Sequence, residues 1–405
     1  MSGTNFYDKT GLPKALTWGY LGVLIFMMGD GLEQTWLSRY ITGEGFNAAT
    51  LFSIYGITVA ISSWLSGVIA ETFGVKRTML AGFFLYLVGI AGFAGIGMAR
   101  MSWPVLLLTY AIKGLGYPLF AYTFMVWITY RVEKQKLSSA QGWFWFVFTG
   151  GLNVLGAYYG VWAVRHFGVI PTLWTALVFA IIGLLFALVV NKSDETNLFA
   201  DPDAPKTNKI AGLFRGLGIM GREPKVLMGG IVRVINTTSQ FAFVVFMPLY
   251  MATFGLTDAQ WASIWGSIFM FNIIFNLIFG IVGDKIGCRQ TVQWFGGVGC
   301  AVTVLLFYYS PQILNNYWFI LICGALWCIM LAGYVPLSAL VPSLVKSDKG
   351  AAVSVLNLGA GAASFVGPFI VRILEKPVGY EGIAWTLAGL YIVSAIMTYF
   401  IREAE

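Results

Sequence analysis

The stretch GVIAETFGVKR at residues 67–77 and the stretch GIVGDKIGCR at residues 280–289 are the strongest indication of the architecture. In both, an acidic residue stands four positions after one glycine and three before another, and basic residues follow. The two stretches are offset by 213 residues, about half of the 405-residue chain, and each lies between two long apolar segments. The sequence therefore predicts two copies of one membrane unit.

The composition is typical of a membrane protein. The chain is 58% hydrophobic and 11% charged, with a mean hydropathy of +0.77, which excludes a water-soluble domain of this length. A membrane helix needs roughly 20 apolar residues, and twelve segments meet that length. We therefore expect an all-α membrane protein with twelve transmembrane helices in two pseudo-symmetric six-helix bundles. The segments lie near residues 18–38, 48–70, 78–98, 104–128, 139–163, 169–190, 226–252, 260–282, 290–310, 316–341, 350–373 and 383–401.

A polar stretch divides the two halves. Apolar residues recur in it at helical spacing among basic ones, which predicts a linker followed by an amphipathic helix at the membrane surface. An unstructured tether is the alternative. We expect one bundle over residues 1–190, the cytoplasmic linker over residues 191–225 and the second bundle over residues 226–405.

Basic residues predict the orientation. With the N-terminus inside, the cytoplasmic segments hold 18 of the 25 Lys and Arg residues, as the positive-inside rule requires. Both termini are then cytoplasmic. The net charge of +7 indicates contact with anionic lipid of the inner leaflet, and not a nucleic-acid partner.

Two carboxylates within the first apolar segment are the sharpest candidates for function. Asp30, Glu33 and Gln34 are spaced to share one helix face, and each intramembrane charge costs about 2.5–3.5 kcal/mol. Because low dielectric and a neighbouring carboxylate both favour the neutral acid, the pair predicts a proton-binding site. Lys113, about nine residues into the fourth segment, is the expected counter-ion. The alternatives are a hydrated Glu33 near the outer mouth, Asp30 as a structural cap, and a snorkelling Lys113.

The seventh segment carries a polar stripe. Arg233, Asn236 and Gln240 fall on one helix face and could bind a ligand's hydroxyl groups. Individually, such neutral polar residues often join helices in membranes. Together with aromatic rings that suit the C–H face of a sugar or alditol, they indicate a neutral polyhydroxylated ligand. The other candidate substrate-binding residues are Gln34, Tyr117, Gln141, Trp145, Asn272, Asn276, Trp327, Tyr334 and Asn357.

The repeated stretches resemble motif A of the major facilitator superfamily of transporters. The resemblance implies that they gate the cytoplasmic side; the residues concerned are Gly67, Glu71, Gly74, Arg77, Gly280, Asp284, Gly287 and Arg289. Thr72 and Val75 stand where the superfamily often has basic residues. The run IKGLG around Lys113 resembles motif B, whose basic residue, generally arginine, pairs with an acid of the first helix.

The opening segment narrows the resemblance. The runs WGYLGVLIFMMGDGLEQ at 18–34 and SWLSGVIAET at 63–72 are similar to those of the bacterial polyol permeases, which transport ribitol and D-arabinitol. Membership would imply proton-coupled uptake of a five-carbon alditol by a multi-pass protein of the bacterial inner membrane that acts as a monomer.

Other functions compete with this one. Symport of a small organic anion, with Lys113 and Arg233 as clamps, or of another sugar, is the main alternative. Equal numbers of intramembrane acids and bases favour a neutral ligand over an anion. No zinc motif, phosphate loop or nucleophile–base arrangement indicates an enzyme, a metal site or a cofactor.

The acids of the repeated stretches generate a test. If Glu71 and Asp284 hold the cytoplasmic side closed, Glu71→Gln and Asp284→Asn should shift the protein toward its inward-open state, because neutral side chains bind helix ends and basic residues more weakly. Labelling of cysteines introduced on the cytoplasmic side should increase. Unchanged labelling with normal transport would exclude a gating role.

Overall fold

A computed structural model of the chain describes residues 12–132, 137–191, 218–345 and 349–401. The description leaves out the side chains of Glu71, residues 137–139, Asp284 and residues 349–350. Within the described ranges the chain is helical and contains no strand. Most of the linker expected over 191–225 lies outside them, so its amphipathic helix and the domain boundaries stay predictions.

Helices α1 to α6 form the first half. Several contain short π-helical stretches. Their bounds are Thr17–Gly31 and Leu37–Gly43 for α1, Ala48–Phe73 for α2, Val75–Gly92 with Phe93–Met98 for α3, Trp103–Arg131 for α4, Leu137–Thr149, Gly150–Leu155 and Gly156–Phe167 for α5, and Val169–Leu184 with Leu185–Val190 for α6.

Helices α7 to α12 form the second half. Their bounds are Pro224–Thr253 for α7, Asp258–Ile286 for α8, Cys288–Thr291, Val292–Gly299 and Cys300–Ile313 for α9, Tyr317–Leu331, Ala332–Tyr334 and Leu337–Ser343 for α10, and Lys349–Phe400 for α11 and α12 together. The last two meet at Gly379, where the backbone leaves the helical conformation with φ +66°. The chain thus follows the twelve predicted segments.

By length and hydropathy, nine helices among the described residues qualify as membrane spans. The difference from twelve has three causes. Helix α1 is interrupted, α5 is rich in Gly, Trp and Tyr, which lower its hydropathy, and α11 and α12 count as one. The expected all-α membrane fold is confirmed.

The two repeated stretches adopt the same turn. Gly74 ends α2 with φ +92° and Gly287 ends α8 with φ +96°, a region that glycine tolerates far better than other residues. Four residues later, the hydroxyl of Thr78 donates to the carbonyl of Gly74 at 2.8 Å, and that of Thr291 donates to the carbonyl of Gly287 at 3.0 Å. The matching geometry shows that the sequence repeat is also a structural repeat.

Helix α1 breaks at the predicted acidic face. Residues 32–36 form turns, and the amide of Leu37 resumes helical bonding to the carbonyl of Glu33 at 2.9 Å. The expectation of one continuous helix was wrong here. Gly31 packs so tightly against α5 that an added Cβ would strike the backbone of Leu152. Gln34 lies in the turn and does not share a helical face with Asp30.

Small residues let the two halves approach closely. On one side, an added Cβ at Gly56 of α2 would collide with the backbone at Ser364 of α11. On the other side, Gly266 of α8 packs against the ring of Tyr158 of α5, whose hydroxyl lies 2.7 Å from Ser267 Oγ. Such contacts between backbones are how helices associate in lipid, where burial from water contributes little.

The α2–α11 contact generates a stability test. Gly56→Val should destabilise the protein by about 1–3 kcal/mol, because the colliding atoms belong to backbone and cannot rotate away. The matched control is Gly389→Val, where an added Cβ meets no atom within 4 Å; it should stay within about 0.5 kcal/mol of the parent. Unfolding in detergent measures both. Equal destabilisation would mean that the close approach is not what stabilises this interface.

Candidate functional site

Lys113 lies between the two carboxylates of α1. Its Nζ is 3.0 Å from Asp30 Oδ1 and 2.6 Å from Glu33 Oε1. Exposure is 0% for Lys113, 4% for Asp30 and 2% for Glu33, so the triad is closed to solvent. A buried ion pair needs good geometry and further hydrogen bonds to offset its desolvation.

Tyrosines supply those hydrogen bonds. The hydroxyl of Tyr55 on α2 lies 3.1 and 3.0 Å from the two oxygens of Asp30, and the hydroxyl of Tyr110 on α4 donates to Glu33 Oε1 at 2.7 Å. The rings of Tyr55, Tyr86 and Tyr110 surround the ammonium, with centroids 5.3, 5.5 and 5.2 Å from Nζ. We call this set of six residues the charged cluster; it belongs entirely to α1–α4.

Local packing positions the cluster. Gly89 of α3 lies so close to Lys113 that an added Cβ would strike its backbone. Gly114, next along α4, faces Tyr55 and Thr58 of α2 in the same way. The glycines thus bring α2 and α3 against the α4 backbone, which puts the tyrosine rings within reach of the ammonium.

A cavity, partly open to solvent, lies between the two halves. Helices α4 and α5 line it from the first half, and α7, α8, α10 and α11 from the second. Its polar and aromatic lining includes Tyr117, Tyr122, Trp145, Phe148, Thr149, Asn153, Arg233, Asn236, Thr237, Gln240, Asn272, Asn276, Tyr334 and Ser338.

Arg233 gives this cavity its charge. It is the one charged side chain of the described residues in the lining, and no acid in the described ranges forms an ion pair with it. Its guanidinium carbon lies 4.6 Å from the ring centroid of Trp145 on α5, across the boundary between the halves. An exposed fraction of 7% keeps the guanidinium poorly hydrated. A poorly hydrated cation facing a cavity favours an anionic ligand.

Most amides of the cavity already have protein partners. Gln240 Nε2 donates to Asn153 Oδ1 at 3.2 Å, which joins α7 to α5. Asn272 Nδ2 donates to the carbonyl of Cys328 at 2.8 Å, and Asn276 Nδ2 donates to Asn272 Oδ1 at 3.2 Å. Part of their capacity for hydrogen bonding is therefore spent within the protein.

The predicted substrate residues separate into two groups. Those in the cavity are Tyr117, Trp145, Arg233, Asn236, Gln240, Asn272, Asn276 and Tyr334, whereas Gln34, Gln141, Trp327 and Asn357 do not line it. Trp327 is fully buried, and its ring centroid lies 4.9 Å from that of Phe243 in the core of the second half. Asn357 is buried on α11, where Ala360 faces the cavity instead.

Sequence reasoning missed some lining residues. Tyr122 and Phe148 stand in aromatic runs where nothing distinguishes a cavity residue from a core residue. Asn153 carried a signal, as one of two amides in the fifth apolar segment, but membrane amides commonly join helices. It does join helices here, through Gln240, and it also faces the cavity.

Residues of the gating stretches take unequal positions. Gly67 lies near Ser354 of α11, whereas an added Cβ at Gly280 would meet nothing within 4 Å. Arg77 is exposed, and Arg289 donates to the carbonyl of Tyr399 at 3.0 Å. The side chains of the two acids lie outside the described residues, so the gating role stays a prediction.

The charged cluster and the cavity are neighbours. Tyr117, one helical turn after Lys113 on α4, lines the cavity. Its ring stacks on that of Tyr55, with centroids 6.4 Å apart, and Tyr55 contacts Asp30. A change in the charged cluster can therefore reach the cavity through two packed rings.

Comparison with known proteins agrees with this architecture. The sequence pattern of the Major Facilitator Superfamily matches residues 14–271 and 229–405. An alpha-ketoglutarate permease of Bacillus subtilis (strain 168) is 47% identical over 405 residues, which cover 99% of this chain and 92% of the relative. A ribitol transporter and a D-arabinitol transporter of Klebsiella pneumoniae are 38% and 37% identical over 400 residues, which cover 98% of this chain and 93% and 94% of the relatives.

These matches confirm the resemblance stated from the gating stretches and the opening segment. They extend over nearly the whole chain, and the relatives are permeases and transporters, not enzymes. The helices that surround the charged cluster and the cavity all fall within the matched residues. The chain is a multi-pass membrane transporter that belongs to the major facilitator superfamily.

Proposed function

We propose that the protein is a secondary transporter of a small organic anion, and that Arg233 anchors a carboxylate of the substrate. One observation carries the proposal: the cavity between the halves contains a buried guanidinium with no acidic partner among the described residues. Arginine binds carboxylates through two parallel hydrogen bonds, which are stronger than neutral ones.

The membrane region contains equal numbers of acids and bases, a count that favours a neutral ligand. In the structure, however, the acids and the bases lie in different sites. Asp30 and Glu33 both form ion pairs with Lys113 in the buried charged cluster. The cavity keeps the positive charge of Arg233 alone, so a neutral ligand would leave that charge uncompensated.

The comparisons support a carboxylate on independent grounds. The alpha-ketoglutarate permease is more similar to this chain than the two polyol transporters are, at 47% against 38% and 37%. A five-carbon dicarboxylate has the length of a five-carbon alditol. Asn236, one turn beyond Arg233 on α7, lines the same cavity, and its amide could donate to the far carboxylate of such a ligand.

A five-carbon polyol such as ribitol or D-arabinitol is the second candidate. The amide-rich lining and the two Klebsiella relatives favour it. The engagement of Gln240, Asn272 and Asn276 with protein partners weakens it, because those groups would have to exchange one hydrogen bond for another.

Arg233→Gln should separate the two candidates. Binding of alpha-ketoglutarate to the purified protein should weaken about 10- to 150-fold, because a charge-assisted contact is worth about 1.5–3 kcal/mol. Arg233→Lys should recover part of the loss, since it restores the charge without the planar fork. Calorimetry measures both.

The matched control is Arg39→Gln, which removes a half-exposed guanidinium paired with Asp258 away from the cavity. It should leave the affinity for the carboxylate unchanged. Ribitol should bind the parent protein weakly or not at all. Tight binding of ribitol to the parent, with no measurable binding of the dicarboxylate, would contradict the proposal and select the polyol.

We further propose that protons drive this transport in the bacterial inner membrane, with both termini cytoplasmic. The charged cluster supports proton coupling. Its ionisable residues Asp30, Glu33 and Lys113 include more carboxylates than cations, and Lys113 lies one helical turn from the cavity-lining Tyr117. Membrane acids in such positions commonly carry protons in transporters.

Transport in energised vesicles tests the coupling. Adding substrate should alkalinise the medium as protons enter with it, and a collapsed proton gradient should abolish accumulation while counterflow of labelled substrate continues. Vesicles with a sodium gradient and no proton gradient are the control. Accumulation driven by sodium alone would rule out protons as the coupling ion.

A further inference from the structure

We infer that the coupling proton is held on Oε2 of Glu33, and that Asp30 remains ionised as the permanent counter-ion of Lys113. This inference deepens the proposed proton coupling and rests on it. It assigns different roles to two carboxylates that the sequence alone does not distinguish.

The first step is the charge of the cluster. With all three groups ionised, Asp30, Glu33 and Lys113 carry one net negative charge in a site with 0–4% exposure. An uncompensated charge at that depth is costly. A single proton on one carboxylate makes the cluster neutral. The remaining question is which carboxylate takes it.

Hydrogen bonding distinguishes the two acids. Both oxygens of Asp30 have partners: the Tyr55 hydroxyl lies 3.1 and 3.0 Å from Oδ1 and Oδ2, and Lys113 Nζ lies 3.0 Å from Oδ1. Donors favour the ionised form of a carboxylate. Asp30 is therefore satisfied as an anion.

Glu33 is satisfied on one side only. Lys113 and Tyr110 both donate to Oε1, at 2.6 and 2.7 Å, and Oε2 is buried without a hydrogen-bond partner among the described residues. Burying a charged oxygen without a hydrogen bond costs more free energy than burying a neutral group without one. A proton on Oε2 removes the charge and keeps both existing hydrogen bonds to Oε1, which then acts as the carbonyl oxygen.

The surroundings of Glu33 contain no competing base among the described residues. Beside Asp30, the titratable side chains of the cluster are three tyrosines and the lysine: Tyr55 on α2, Tyr86 on α3, and Tyr110 and Lys113 on α4. Both tyrosines with partners act as donors to the acids, and the Tyr86 hydroxyl is buried without a partner in the described ranges. Of the groups around Lys113, only the two carboxylates can therefore take the proton.

This arrangement separates coupling from structure. Losing or gaining the Glu33 proton changes the charge next to Lys113 while the contacts of Asp30 with Lys113 and Tyr55 persist. Tyr117 stacks on Tyr55 and lines the cavity, so the α4 face next to Glu33 also reaches the cavity.

Infrared spectroscopy of the purified protein tests the assignment without any substrate. The parent should show a carboxylic-acid C=O band that persists at neutral pH, and Glu33→Gln should lose it. The control Glu44→Gln makes the same change at an exposed position and should keep the band.

Two conservative variants locate the band even if Glu33→Gln fails to fold. Tyr110→Phe removes a hydrogen bond to Glu33 Oε1 and should raise the C=O frequency, because a carbonyl that accepts fewer hydrogen bonds is stiffer. Tyr55→Phe removes a hydrogen bond to Asp30 and should leave the frequency unchanged. A shift in Tyr55→Phe with none in Tyr110→Phe, or no band in the parent at neutral pH, would overturn the assignment.

The outcomes also distinguish this inference from the proposed function. A band with the expected responses but transport that ignores the proton gradient would disprove coupling and leave the protonation of Glu33 standing. Proton-driven transport with a band that shifts only in Tyr55→Phe would support coupling and disprove the protonation of Glu33.

Discussion

A lysine ammonium, that of Lys113, lies fully buried within a membrane domain. Removing a cation from water is unfavourable unless opposite charges and hydrogen bonds replace its hydration. Lys113 obtains these from α1 through Asp30 and Glu33, and from the tyrosines of α2, α3 and α4. Four helices of the first half therefore meet at one electrostatic site, and the break in α1 falls beside it.

The cluster also affects the charge of the cavity. Because Lys113 engages both acids of α1, the carboxylates are withdrawn from the space between the halves, and Arg233 faces that space without an acidic partner among the described residues. Charge is thus divided between the bundles: the surplus acid lies in the first and the surplus cation in the second. Under the proposed function, the proton would bind in the first bundle and the anion at Arg233 of the second.

Close contact at small residues brings side chains of different helices within reach of one another. Gly89 brings α3 against Lys113, Gly31 brings α1 against α5, and Gly56 brings α2 against α11. In lipid, where apolar faces gain little from leaving the solvent, such backbone contacts supply the packing. The two rings that link the cluster to the cavity, Tyr55 and Tyr117, stack because α2 and α4 approach in this way.

The membrane class, the helices and the internal repeat could be read from the residues, as could the ionisable side chains that form the buried ion pairs. Charges and long apolar runs are strong signals in lipid. Which helix face meets which neighbour depends on tertiary packing. Core and cavity aromatics look alike in an apolar segment, so Trp327 and Tyr122 could not be told apart, and the break at Gly31 displaced Gln34. The charge of the cavity also depends on the tertiary structure, because a count of residues cannot show that Lys113 forms ion pairs with both acids.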